Sequence, residues 1–265
     1  MIRGIYTGCS GMLIQLARTN VIANNLANVD TVGFKCEETV FRAYPEHEIV
    51  RVYDQTSSSL FEIALPFRQA PVIGKLGTAS VVDETFIEGT AGPLINTGNP
   101  LDLALREEGT FFVLQDSKGR RYYTRAGNFT LNSNGEVVSQ SGYKLLSEGG
   151  PIAVPEGSEI RFSEDGRFFI DGEEAGRLLI VKFKTPTYLK RIGKNLYLET
   201  KASGKPVRQE TVKLAVGMLE GSNVSPVREM VELIEAYRAY EANQRMVTTQ
   251  DDSLGRAITT LTRVG

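Results

Sequence analysis

Tryptophan is absent from the 265 residues, histidine occurs once and cysteine twice. With His47 alone and two scattered thiols, Cys9 and Cys36, the chain is poorly supplied for zinc or haem and has no disulfide framework. Both thiols read as small buried or semi-exposed hydrophobes, and His47, in the polar stretch PEHE, as a solvated loop residue. Charge of one sign is lacking too. The formal charge is -2 and the basic residues are dispersed, which leaves no footprint for nucleic acid or anionic lipid. No segment approaches the roughly 18 consecutive apolar residues of a membrane span, so none is expected. The opening stretch, MIRGIYTGCSGMLIQLARTN, has no apolar core of signal-peptide length, so no cleavable signal is expected.

Motifs of catalysis are missing as well. There is no GxxxxGK loop, and Gly204-Lys205 runs into Pro206, which lacks the backbone donor a phosphate cradle needs. No serine occupies a GxSxG elbow, and His47 has no plausible triad partner. Asp165 and Asp171, each followed by glycine, fit no calcium-loop spacing and read as hairpin turns. Glu107-Glu108 and Asp251-Asp252 are adjacent pairs whose side chains diverge on a strand or helix, so they read as solvated. The expectation is a chain that is no enzyme, with no cofactor and no metal.

What is present is a change of composition along the chain. Residues 1 to about 32 contain no proline and suit a helix, and residues 75–218 are rich in glycine, β-branched and aromatic residues. From Pro226 onward there is again no further proline and one internal glycine, Gly255. In the middle, FFVL, RYYTR, FTLN, EVVS and LLIVKF read as short strands, separated by turns such as DSKG, EDG and DGEE. Asn134-Gly135 between FTLN and EVVS is the strongest hairpin signal. Residues 36–74 show no clean period and read as an extended connector.

The last segment carries the clearest pattern. Met230, Leu233, Tyr237, Tyr240, Gln244, Val247, Asp251, Leu254, Ile258 and Leu261 alternate by three and four, a heptad seam. Ser225 suits the cap, Pro226 the first helical position, and Glu229 complements the dipole in the first turn. A helix from Pro226 to Leu261 would be about 54 Å long. The N-terminal segment repeats the spacing at Ile5, Cys9, Met12, Leu16, Thr19, Ala23 and Leu26, ending near Gly33. Gly4, Gly8 and Gly11 lie along an adjoining face, each costing a helix roughly 1 kcal/mol relative to alanine. Either the first turns fray, or bare backbone lets another helix approach closely. Both readings require a partner for this helix.

Two long terminal motifs resemble the flagellar rod and hook family. NVIANNLANVDTVGFK, residues 20–35, is similar to its N-terminal signature, with Asn24, Asn25, Asn28, Gly33 and Phe34. LEGSNVSPVREMVELIEAYRAYEANQRMVTTQD, residues 219–251, is similar to its C-terminal signature, with Asn223, Arg238, Tyr240, Glu241 and Asn243. TGNPLDLAL and YYTRAGNFTLNSNGEVV resemble the middle domain. The family usually shows a Gly-x-Gly run before an aromatic pair, where this chain has EEGTFF, a departure at the local turn. There is no room for the extra outer domain of the hook protein, which favours a rod member. IGKLGTASVVDE and GRLLIVKF look more like a proximal than a distal one.

The fold this implies is α+β. Long N- and C-terminal helices would pair as a coiled-coil-like inner layer (residues 1–35 and 219–265), and residues 75–218 would form a mainly antiparallel β domain outside it. The resemblance further implies partners among copies of the chain and other rod and hook subunits, and export through the flagellar type III apparatus without signal cleavage. The destination would be the basal body outside the inner membrane. Assembly would use Ile5, Met12, Leu16 and Leu26 in the first helix. In the second it would use Met230, Leu233, Tyr237, Tyr240, Val247, Leu254, Ile258 and Leu261. Long helices without a packing surface are marginal, so the ends are expected to order on joining. The competing reading is a soluble binding or adhesion module that dimerises through its helices.

Overall fold

The structure, a computed structural model, describes residues 2–50, 72–193 and 195–264. It is α+β, with one long helix at each end of the chain and a mostly antiparallel β region between them. The chain divides into two compact units. One comprises residues 1–20, 39–84 and 233–265, the other residues 21–38 and 85–232.

Helix α1 spans Ile2–Ala27 and helix α2 spans Pro226–Val264. At about 1.5 Å per residue, the 39 residues of α2 reach roughly 58 Å. The Glu229 amide donates to the Ser225 carbonyl at 3.0 Å, which closes the first turn where the sequence placed the cap. Helix α1 ends earlier than its pattern suggested. The Asn28 side chain turns back to donate to the Asn24 carbonyl at 2.8 Å, and the backbone leaves the helix there rather than near Gly33. Among the described residues no helix is long and apolar enough to cross a membrane.

Strands Glu37–Val50 and Val72–Ile87 form a two-stranded sheet, fastened by Arg42 and Asp83 at 2.9 Å. Both come from the stretch read as connector or its border. His47, expected in a loop, lies on the first of them. Residues 51–71, the rest of that stretch, lie outside the described residues.

The second unit is built on a ten-stranded sheet. Its main path runs Lys190–Ile192, Leu196–Leu198, Arg121–Thr124, Thr110–Gln115, Lys144–Ser147, Val137–Ser139, Phe129–Leu131. Strand Thr110–Gln115 lies at its centre, and its continuous apolar run has a simple cause: both faces are covered. Phe112 and Leu114 pack with Leu145 and Ile180 on one side, while Phe111 and Val113 pack with Tyr123, Val181 and Phe183 on the other. Asn134-Gly135 turns Phe129–Leu131 into Val137–Ser139 as expected, with Gly135 at a φ of 74°. Asp171, at a φ of 52°, with Gly172 makes the hairpin between Arg167–Ile170 and Glu173–Arg177. The turn reading of that aspartate therefore holds. Two short ladders complete the unit, Leu214–Val216 on Leu103–Leu105 and Met218–Glu220 on Leu94–Asn96.

Candidate assembly site

The two family-like motifs meet in the second unit, and buried charge joins them. After α1, the chain turns through Thr31, whose hydroxyl donates to the Asn28 side chain at 3.2 Å, and reaches Gly33. Gly33 has a φ of 66°, and a Cβ there would lie 2.4 Å from the Ala126 backbone nitrogen. Only glycine lets the segment press this close to the β domain. The Gly33 amide then donates to the Glu220 carbonyl at 2.7 Å.

Lys35, two residues on, reaches the carboxylate of the same Glu220. Its Nζ lies 2.5 Å from Glu220 Oε1, and Arg125 Nε lies 2.8 Å from Glu220 Oε2. The three side chains are 4%, 1% and 2% exposed for Lys35, Glu220 and Arg125. Backbone carbonyls supply further acceptors. Lys35 also donates to the Thr90 carbonyl, and Arg125 donates to the carbonyls of Glu107, Thr110 and Leu105. Burial alone would push the Glu220 carboxyl up, but Arg125 and Lys35 together override it and hold it below the usual range. Burial pushes the Lys35 ammonium down against the pull of Glu220.

Thr110, the departure in EEGTFF, belongs to this arrangement. Its hydroxyl donates to the Glu107 carbonyl at 2.7 Å and accepts from Arg125 at 3.1 Å. Gly109 supplies the left-handed turn at a φ of 72°. The local turn is thus formed with a threonine in place.

The paired asparagines have specific tasks. Asn25, 2% exposed, donates to the Glu37 carbonyl at 2.9 Å and accepts from the Glu37 amide at 3.0 Å, like a neighbouring strand. It also donates to Glu229 Oε2 at 3.3 Å, which ties the end of α1 to the first turn of α2. Asn223 accepts from the Cys36 amide at 2.7 Å and donates to the Thr90 hydroxyl at 3.0 Å. Burial and then the nearby Glu229 push the Cys36 thiol up to about 12, so it stays protonated and unreactive at neutral pH.

Glu229 is buried with no salt-bridge partner among the described residues, and burial holds its carboxyl above the usual range. Asn25 pulls it back, Glu232 adds to the rise, and Cys36 and Arg228 oppose it. Because its folded pKa is raised, its contribution is complete below the unfolded value of about 4.3 and is lost as pH rises through the folded value. Glu229→Gln is therefore expected to flatten the decline in stability between acid and neutral pH. Urea melts at several pH values test this, and an unchanged slope in the variant would contradict it.

Arg191 and Asn195 were not singled out from the sequence, yet they hold the N-terminal motif. Arg191 pairs with Glu37 at 2.9 Å, donates to the Asn24 side chain at 2.7 Å, and stacks 4.7 Å from the Phe34 ring centre. Asn195 donates to the Val32 carbonyl at 2.8 Å. Both sit on the hairpin Lys190–Ile192/Leu196–Leu198, whose lone turn signal in the sequence is Gly193.

In the first unit, the glycines of α1 face α2. A Cβ would lie 2.6 Å from Val247 Cγ2 at Gly8, 2.8 Å from the Asn243 side chain at Gly11, and 3.0 Å from Gln250 Cδ at Gly4. The structure thus shows the close helix approach that these glycines allow.

Three family descriptions match the segments that make these contacts. Residues 5–35 match "Flagella basal body rod protein", residues 107–170 "Flagellar hook protein FlgE/F/G D1 domain", and residues 215–260 "Flagellar basal body rod FlgEFG protein C-terminal". The chain is 34% identical to the flagellar basal-body rod protein FlgG of Borreliella burgdorferi, covering 97% of this chain and 98% of that one. It is 35% identical to the FlgG of Caulobacter vibrioides, over 95% of this chain and 97% of its relative. It is also 33% identical to the rod protein FlgF of Escherichia coli, over 97% of both chains. The chain belongs to the flagellar basal-body rod family.

It is accordingly a structural rod subunit, and no catalytic family is among those matched. The adhesion-module reading has no support in a full-length match to rod proteins. Lys35, Arg125 and Glu220 come one from each matched segment, so the rod protein's three family segments converge on one buried triad.

The residues expected at the assembly interface divide between two faces. In α1, Ile5, Met12 and Leu26 are half-buried, and Leu16 is exposed. In α2, Leu233, Tyr240, Val247 and Leu254 are half-buried, whereas Met230, Tyr237 and Ile258 are exposed. The Leu261 side chain lies outside the described residues. Of the motif residues in α2, Arg238 is exposed, and Glu241 and Asn243 are half-buried. The less exposed stripe of α2 runs Leu233, Ala236, Tyr240, Asn243, Val247, Gln250, Leu254, Ala257. It shares every second position with the expected seam and takes the others one residue earlier. At two of these shifted positions the amide side chains of Asn243 and Gln250 lie opposite Gly11 and Gly4 of α1.

Proposed function

We propose that this rod subunit joins the axial shaft through the outward faces of its two terminal helices. One observation carries the reading: large apolar side chains stand in solvent at helical spacing on both. In α1 these are Tyr6, Leu13 and Leu16, the first two 67% exposed. In α2 they are Val227, Met230, Val231, Ile234 and Tyr237, with Val227 70% exposed. Burying such a side chain completely contributes about 1.5–3 kcal/mol, so each helix gains by being covered. Met230, Tyr237 and Leu16 of the expected interface belong to these outward faces, while Ile5, Met12, Leu26, Leu233, Tyr240, Val247 and Leu254 are half-buried.

In this reading residues 1–35 and 219–265 form the inner assembly layer, paired in coiled-coil fashion, and the β domain lies outside it. Copies of the chain and other rod and hook subunits are the partners, reached by type III export without signal cleavage, outside the inner membrane. Contacts between non-identical faces that do not close into a ring generate a helix, the geometry of a shaft. Imaging of purified basal bodies carrying an epitope-labelled chain tests this. The label is expected on the axis, and a position nearest the inner membrane would agree with the proximal reading of IGKLGTASVVDE. A chain found only as free soluble dimers, absent from basal bodies, would sink the proposal.

A further inference from the structure

The hairpin that grips the N-terminal motif carries an unusual concentration of buried polar atoms. Arg191 Nη1, Asn195 Oδ1 and the Tyr197 hydroxyl are buried without a hydrogen-bond partner in the protein. Among the described residues there is one other such side-chain atom, Gln15 Oε1. Three orphans within seven residues are not scattered noise, because an unpaired buried polar group is costly and rare in folded proteins.

Their placement brings them together. Arg191 and Tyr197 are direct partners across the antiparallel strands, so their side chains rise from the same face about 5 Å apart at Cβ. Asn195 stands in the turn of the same hairpin, two residues before Tyr197 and next to the strand that begins at Leu196. After burial itself, the charge of Arg191 acts most strongly on the Tyr197 hydroxyl. Arg191 is otherwise fully engaged: Nε serves Glu37, Nη2 serves Asn24, and its plane covers Phe34. Nη1 is the donor left over.

We propose that these three atoms form a binding site for one internal water molecule, which bridges the hairpin beneath the docked N-terminal motif. The donor and acceptor pattern selects water over an anion. Arg191 Nη1 can only donate, Asn195 Oδ1 can only accept, and the Tyr197 hydroxyl can do either. An anion would satisfy the arginine and leave the asparagine oxygen facing a charge of its own sign. A water accepts from Arg191, donates to Asn195, and completes its bonds with Tyr197, within the usual two to four partners of a buried water. Its effect is to stiffen the platform that holds Asn24, Val32 and Glu37.

The test turns on a sign. If the Tyr197 hydroxyl were truly unpaired, Tyr197→Phe would remove a desolvated group and raise stability. With the water in place, the substitution deprives it of a partner and should enlarge the unfolding constant between about twofold and tenfold. An unchanged or smaller constant for the variant overturns the proposal. Independently, a high-resolution crystal structure of the full wild-type chain should show ordered density within hydrogen-bonding distance of all three atoms. Empty density, or density touching none of them, overturns it even if the variant fails to fold.

Discussion

Glu220→Ala should unfold about 3–5 kcal/mol more readily than the wild type, the usual cost of removing one partner from a buried ion pair. The side chain is 1% exposed and is the carboxylate in salt-bridge contact with both Lys35 and Arg125. Without it two cations remain in the interior facing each other, and the Gly92 amide loses its acceptor at 3.1 Å. Glu220→Gln keeps the shape and separates charge from packing. It should recover the Gly92 contact but not the ionic part. The pH dependence has a definite sign. Because the folded carboxyl is held below the usual range, its contribution is complete above about pH 4.3 and fades as pH falls through the lower folded value. The difference between wild type and Glu220→Gln should therefore shrink on acidification, as read from denaturant melts. A difference that stays constant with pH would mean that the carboxylate charge contributes nothing.

The second large effect concerns assembly. Replacing Leu233 and Val247 together with aspartate should abolish incorporation into basal bodies and give non-motile cells. Val247 lies against Gly8 of α1, where there is no room for even one extra carbon. A carboxylate there must either stay unpaired in a tight helix crossing or force α1 and α2 apart. The central sheet does not depend on either side chain, since its cores are drawn from residues 87–214. Purified variant should keep the near-ultraviolet signal of its packed tyrosines while α1 and α2 become sensitive to protease. Normal motility in the double variant would refute the assignment of these helices as the assembling elements.

Much of the architecture was legible in the sequence because it is written in local periods. Alternation by three and four from Met230 onward can only be satisfied by a helix, and Asn134-Gly135 between two β-branched runs by a hairpin. The continuous apolar run FFVL was legible as a strand but not as the centre of the sheet. That depends on what covers each face.

The site was legible only as a set of motifs. Asn24, Asn25, Asn28, Gly33 and Asn223 were marked by resemblance, and the structure supplies a separate reason for each. Lys35 ends the N-terminal motif, and Arg125 and Glu220 lie within the other two, but as charges they read as ordinary residues, as does Arg191. Nothing local distinguishes a buried cation from a solvated one when its partner lies between 95 and 185 positions away in the chain.

By itself the sequence determined that the ends of this rod protein are helices, that its middle is a set of hairpins, and that glycines line one side of α1. Tertiary structure alone decided which residues of α2 meet those glycines. A hydrophobic reading prefers the bulky Met230, Tyr237 and Ile258. Close approach of the two backbones instead sets Asn243, Val247 and Gln250 against Gly11, Gly8 and Gly4, with Asn243 and Gln250 one residue before the seam positions Gln244 and Asp251. Periodicity sets the angle between residues on one helix, but the size of the gap is a property of the pair.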